Sequence, residues 1–243
     1  MSYKNLFLLF SLVAGILISC KKEDNYVPEK YADETVIYPV GIEDRDALLL
    51  SIRDYVKVDN SSTAEISVDF ALAEFFDKEF MNVGPVKLNG DSLVKTSAEF
   101  YVSNLDKNDF GLNPGTQNQW FIGGGNGFTT FNRMMEVKMP AKIVLESVPN
   151  SIALNTEVTL KAKNFPENAQ AIIWHLKDVE GNFIQKETVT NELILSSSEL
   201  SQLVPGKNSL IKVVAYSMER WENGGKQYVF LNEMVETAPV EFK

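Results

Sequence analysis

The sequence predicts an all-β fold, two β-sandwich domains in tandem, and three observations carry that prediction. Apolar and polar residues alternate through Ala64-Glu65-Ile66-Ser67-Val68-Asp69-Phe70, the pattern of a strand with one buried face. Asn89-Gly90 stands between apolar runs, and both residues tolerate the positive φ of a tight hairpin. Beyond Lys142, short apolar runs are punctuated at Asn150, Asn155, Asn164-Phe165-Pro166, Gly181-Asn182, Pro205-Gly206 and Gly224-Gly225, the cadence of a small sandwich.

The chain opens on a leader. Lys4 supplies a positive start, and Leu6 to Ile18 is an apolar run of thirteen residues interrupted by Ser11 and Gly15 and stopped by Lys21 and Lys22. A membrane-spanning helix needs about 20 apolar residues, so residues 1–19 read as a cleaved secretory signal. Cys20, the only cysteine, follows Leu17-Ile18-Ser19, with an aliphatic residue three before it and a small one just before it. This segment resembles the lipobox of bacterial lipoproteins. The resemblance implies that Cys20 is the lipidation site, diacylated on its thiol, and that the protein partners a membrane through its lipid anchor. Two or more acyl chains hold a protein stably on a bilayer. Lys21-Lys22-Glu23-Asp24 resembles the export signal of surface-exposed lipoproteins of Bacteroidota, and it reads equally as the solvated start of a tether. An outer-membrane location is expected, with the leaflet open.

Residues 20–34 carry eight charges after Cys20 and little apolar content, so they form a lipid-anchored flexible tether. The N-terminal β-sandwich domain is expected over 35–141. It begins with Thr35 to Val40, a short strand that Pro39 confines to a sheet edge. Glu43 to Val58 is ambiguous: Leu48, Ser51, Ile52, Tyr55 and Val56 recur at helix spacing, whereas Leu50, Ile52, Asp54, Val56 and Val58 alternate. The β-branched residues and the surroundings favour a strand. Thr63 to Phe76, the hairpin Val86 to Val94, Glu99 to Val102, Gln119 to Ile122 and residues 128–140 complete the domain.

The chain then restarts. Strands are expected at Ile143 to Val148, Glu157 to Ala162, Ala171 to Leu176, Phe183 to Lys186, Leu193 to Leu195, Ser209 to Tyr216 and Tyr228 to Leu231, and Ser196 to Leu200 can begin a helical turn. Residues 142–243 resemble the immunoglobulin-like modules of bacterial surface proteins, with Trp174 in the third strand and Leu210 to Tyr216 in the sixth. No disulfide brackets Trp174, so the resemblance concerns architecture and not antibody-type domains.

Composition narrows the function. With 33 acidic against 23 basic residues the net charge is −10, which speaks against a nucleic-acid partner. Lipidation of Cys20 leaves no thiol for a disulfide, a metal or catalysis. The lone His175 adjoins Trp174 in a strand, so the two side chains face opposite ways, and with Trp174 inside His175 lies on the outer face. Asp106 to Gly111 begins like a calcium loop but has Phe110 at the fifth position and Gln117 at the twelfth. Gly123 to Gly127 lacks the Lys and Ser or Thr of a phosphate loop. No catalytic residue, metal site or cofactor is therefore expected, and the chain reads as a non-enzyme.

Aromatic residues remain. Trp120, Phe121, Phe128 and Phe131 flank the glycine run, while Trp221 and Tyr228 flank Gly224-Gly225, with Arg220, Glu222 and Asn223 around Trp221 as in a hairpin loop. Trp120, Trp221 and Tyr228 are the candidate ligand-binding residues, set against the commoner core role of such rings. The expectation is a lipid-anchored envelope protein that binds a glycan or an envelope protein. The alternative is a structural subunit of a surface fibre trimmed at Arg45 or Arg53.

Overall fold

The computed structural model describes residues 37–57, 65–77, 79–104, 109–146 and 149–243. Cys20, the signal and the tether lie outside them. The fold is all-β, with one four-residue helix among the described residues. In chain order the strands are β1 (Ala47–Lys57), β2 (Glu65–Asp77), β3 (Glu79–Phe80), β4 (Val86–Leu88), β5 (Asp91–Ser92), β6 (Val94–Lys95), β7 (Tyr101–Val102), β8 (Gln117–Ile122), β9 (Phe131–Lys138), β10 (Ser151–Ile152), β11 (Val158–Lys161), β12 (Ala171–Lys177), β13 (Phe183–Thr188), β14 (Glu192–Leu195), β15 (Gly206–Asn223) and β16 (Lys226–Phe242). Helix α1 (Ser197–Leu200) starts with a capping box between Ser196 and Glu199.

The ambiguous segment is a strand. Leu48, Leu49 and Leu50 are all buried, as in a strand covered on both faces, which is why its apolar run is continuous and mimics helix spacing. β1 pairs parallel with β16 (Leu50 with Leu231) and antiparallel with β2 (Leu50 with Leu72). By contrast, the strand expected at residues 35–40 is irregular over its described part, 37–40. Its backbone bonds to side chains instead: Val40 N donates to Glu187 Oε2 and Tyr38 O accepts from Gln185 Nε2. Of the strand expected from Ile143, the described part keeps only the bridge between Leu145 and Ala162.

One large sheet runs in the order β13-β12-β15-β16-β1-β2-β7-β6, with β10 on β16 and β3 on β2. β1 and β2 come from the first predicted region and β12, β13, β15 and β16 from the second, so the sheet crosses the boundary at 141/142. Residues 38–243 accordingly form one compact unit. The link is the β15–β16 hairpin, far longer than the short runs that alternation suggests, because each strand continues through polar residues. Two smaller sheets, β5-β4-β8-β9 and β11-β14, complete the layers. Trp120 and Met135 from the first, Leu160 and Leu195 from the second, and Leu49, Trp174, Val213 and Phe230 from the large sheet share one hydrophobic core. β12 is the third strand after residue 142 and β15 the sixth, with β10 as the first in place of the strand expected from Ile143.

Candidate functional site

The three expected ligand-binding aromatics sit inside the protein. Trp120 and Tyr228 are fully buried, so neither can offer a ring to a ligand. Trp221 is half-buried and lies in β15, not in the hairpin loop. Strand alternation explains the misleading surroundings: Arg220 and Glu222 point away from the face that carries Trp221. The indole packs edge to face with Phe131 at 4.9 Å and against Tyr228 at 5.4 Å. The Arg133 guanidinium lies 4.6 Å from its centroid. Arg133 is itself held by an ion pair to Glu219, whose second oxygen accepts from Glu136 N at 2.5 Å. Trp221 is therefore part of an aromatic box and presents no free stacking face. Burial, with the nearby Asp46 charge, pushes the Tyr228 hydroxyl up to about 12.

The other sequence candidates also find structural roles. Trp174 is in the core and His175 is on the opposite side of β12, stacked on Phe183 at 5.1 Å. Burial pushes its imidazole down to about 4, against the opposing effect of the Gln185 hydrogen bond. Among the described residues no group of three His, Cys, Asp or Glu side chains is placed to hold a metal ion. Asp109, from the calcium-like stretch, accepts from Arg53 and from Gly111 N; Asp106 to Asn108 lie outside the described residues. The glycine run serves close packing. A Cβ on Gly123 would lie 2.4 Å from Pro85 Cδ, and one on Gly124 2.6 Å from Thr130 Oγ1. Arg53 is committed too, with a bidentate ion pair to buried Asp69 in the interior of the sheet, while Arg45 precedes β1 and pairs with Glu74.

The exposed chemistry collects elsewhere. A groove of about 270 Å³ opens between the segment after β9 and the loop from β11 to β12, lined by Lys142, Val144, Lys163, Asn164, Phe165 and Glu167. Both walls are fixed by backbone bonds, Ala141 N to Glu167 O and Lys163 N to Val144 O, each at 2.7 Å. Lys142 is held by an ion pair to Glu65 and lies 4.3 Å from the Tyr55 ring centroid. Phe165 remains 37% and Val144 38% exposed, which leaves apolar surface facing solvent. The side chains of Lys163, Asn164 and Glu167 are exposed and make no hydrogen bond or ion pair among the described residues. The groove thus combines a ring face, a cation, an amide and a carboxylate.

Sequence reasoning missed this groove because Asn164-Phe165-Pro166 reads as a turn signal. The available clue was an aromatic side chain inside that turn, where strand alternation gives it no core to enter.

No protein-family model matches the chain, and no curated protein matches it. Among solved structures, a chain described as "Structures of Clostridium thermocellum CbhA fibronectin(III)-like modules" aligns over 81% of this chain and 94% of its own, at 9% identity and a TM-score of 0.25. Likeness at that level carries no inference about function.

Proposed function

We propose that the protein is a lipid-anchored envelope component, tethered through Cys20 to the outer membrane, whose rigid β body acts as a non-enzymatic binding module. The anchor rests on the Leu17-Ile18-Ser19-Cys20 motif after a short apolar run. The binding role rests on one observation: the groove between Lys142 and Glu167 keeps a ring, an ammonium, an amide and a carboxylate free of partners among the described residues. The three expected aromatics are instead taken up in packing: Trp120 and Tyr228 are buried, and Trp221 lies against Phe131 and Arg133. An exposed polar and aromatic set on rigid loops is the usual form of a recognition site.

Two experiments test the two halves. Cys20→Ala should move the protein from the membrane to the soluble fraction; retention through detergent-free washing contradicts the anchor. The full chain in detergent should bind saturably either to a glycan array or to isolated cell-envelope sacculi, and retention by neither contradicts the binding role.

A further inference from the structure

The geometry points to an uncharged saccharide as the ligand of this groove, an inference that rests on the proposed binding role. Four observations carry it.

The first is the state of Phe165. Among the exposed phenylalanines, Phe76 and Phe80 pack on each other and Phe183 stacks on His175, whereas Phe165 has no ring partner among the described residues. A phenyl face left at a groove suits the apolar C–H face of a pyranose, since flat stacking needs no other group on that side. Val144 extends the same apolar surface.

The second is the polar set. Lys163 can only donate, Glu167 as a carboxylate can only accept, and Asn164 does both. A sugar hydroxyl also does both, so a polyol satisfies all three side chains at once. An acidic ligand would meet Glu167 and a basic one would meet Lys163.

Charge provides the third. Lys142 is paired with Glu65, and Lys163 stands with Glu167, so the groove has no net charge to direct an ion. The molecule as a whole carries −10 and repels anions at long range.

Size provides the fourth. Small-molecule sites run to about 300–1,000 Å³, and at about 270 Å³ this groove takes a short stretch of a chain rather than a whole oligosaccharide. Ring contact with Phe165 and hydrogen bonds to Lys163, Asn164 and Glu167 then define a single subsite.

Calorimetric titration of the full chain in detergent with cellohexaose, maltohexaose, mannohexaose and hexagalacturonate tests this. At least one neutral hexaose should bind. Phe165→Ala should weaken that binding at least tenfold, Phe165→Trp should retain it, and Lys163→Ala and Glu167→Gln should each weaken it several-fold. Unchanged melting temperatures show that these exposed substitutions leave the fold intact. Binding of a neutral hexaose that ignores Phe165→Ala overturns this site and leaves the binding role standing. Binding of hexagalacturonate alone overturns the uncharged-ligand assignment, and binding of none of the four overturns it as well. Only failure on sacculi and glycan array together removes the broader role.

Discussion

Asn232 Oδ1 accepts from both Ser51 Oγ at 2.6 Å and Asn118 Nδ2 at 2.9 Å, in the interior of the protein. Asn232 Nδ2 donates to Ser217 Oγ, which in turn donates to Lys138 O. Four buried polar side chains from β1, β8, β15 and β16 thereby satisfy one another across the junction of the large sheet with the β8–β9 layer. Removing one member strands the others, at about 1–3 kcal/mol per unsatisfied group. Asn232→Ala should lower unfolding stability by about 3 kcal/mol or more, measured by urea denaturation. A loss below about 1 kcal/mol would contradict the network.

Glu233 gives a pH dependence of definite sign. It is fully buried on β16, Oε1 has no partner, and burial pushes its carboxyl up to about 8, with Asp54 adding to the rise and Lys212 opposing it. The unfolded chain ionises first, near 4.5, so stability is complete below that value and falls as pH rises to about 8. His175 acts in the opposite sense between about 4 and 6.5. Above pH 6.5 the His175 contribution is complete, and between pH 6.5 and 8 Glu233 should cost the wild type about 2 kcal/mol, with buried Asp54, also shifted up, acting in the same sense. Glu233→Gln should flatten this stretch of the stability profile; an unchanged slope would show that Glu233 is not the titrating group.

The ion pair of Arg53 with Asp69 is partly sealed, and Asp69 Oδ2 also accepts from Phe110 N at 2.8 Å. Breaking a buried pair from one side leaves an uncompensated charge, at a cost of about 3–5 kcal/mol. Asp69→Ala should reduce stability by about that amount in chemical denaturation. Full stability in this variant would mean that solvent reaches Arg53.

Trp221 and Phe165 separate structure from recognition. Trp221→Ala removes a ring from the aromatic box and should cost about 3 kcal/mol, yet leave saccharide binding unchanged once the folded fraction is corrected for. Phe165→Ala should do the reverse. If Trp221→Ala abolishes binding in folded protein, the box and not the groove is the site.

How much of this was legible in the sequence follows from range. The strand through Ile66 to Leu72 and the Asn89-Gly90 turn are local signals and both form, with φ of 51° and 91° at the turn. The faces of that strand differ from the expectation: Ile66 and Val68 are exposed while Asp69, Ala71 and Ala73 are buried, Asp69 being drawn inside by its ion pair with Arg53. The parallel pairing of Leu50 with Leu231 joins residues at opposite ends of the chain, and no local pattern encodes that register. The predicted boundary near Lys142 consequently could not reveal that one sheet crosses it. Asn232 and Ser51 interrupt apolar strands and look like surface positions until their partners are known. The site misled for a related reason: the polar neighbours of Trp221 suggested a loop, but they are the outward half of a long strand. Phe165 sat in a turn signal, where an aromatic residue was the one local clue, and its lack of a ring partner among the described residues is seen in three dimensions alone.

The most direct test of the account is amide chemical-shift mapping on the isotopically labelled full chain as the neutral hexaose that binds is titrated in. Perturbations should concentrate at residues 141–146 and 163–168. Perturbations centred on Trp221 and the β15–β16 hairpin, or no saturable change with any of the three neutral hexaoses, would contradict it.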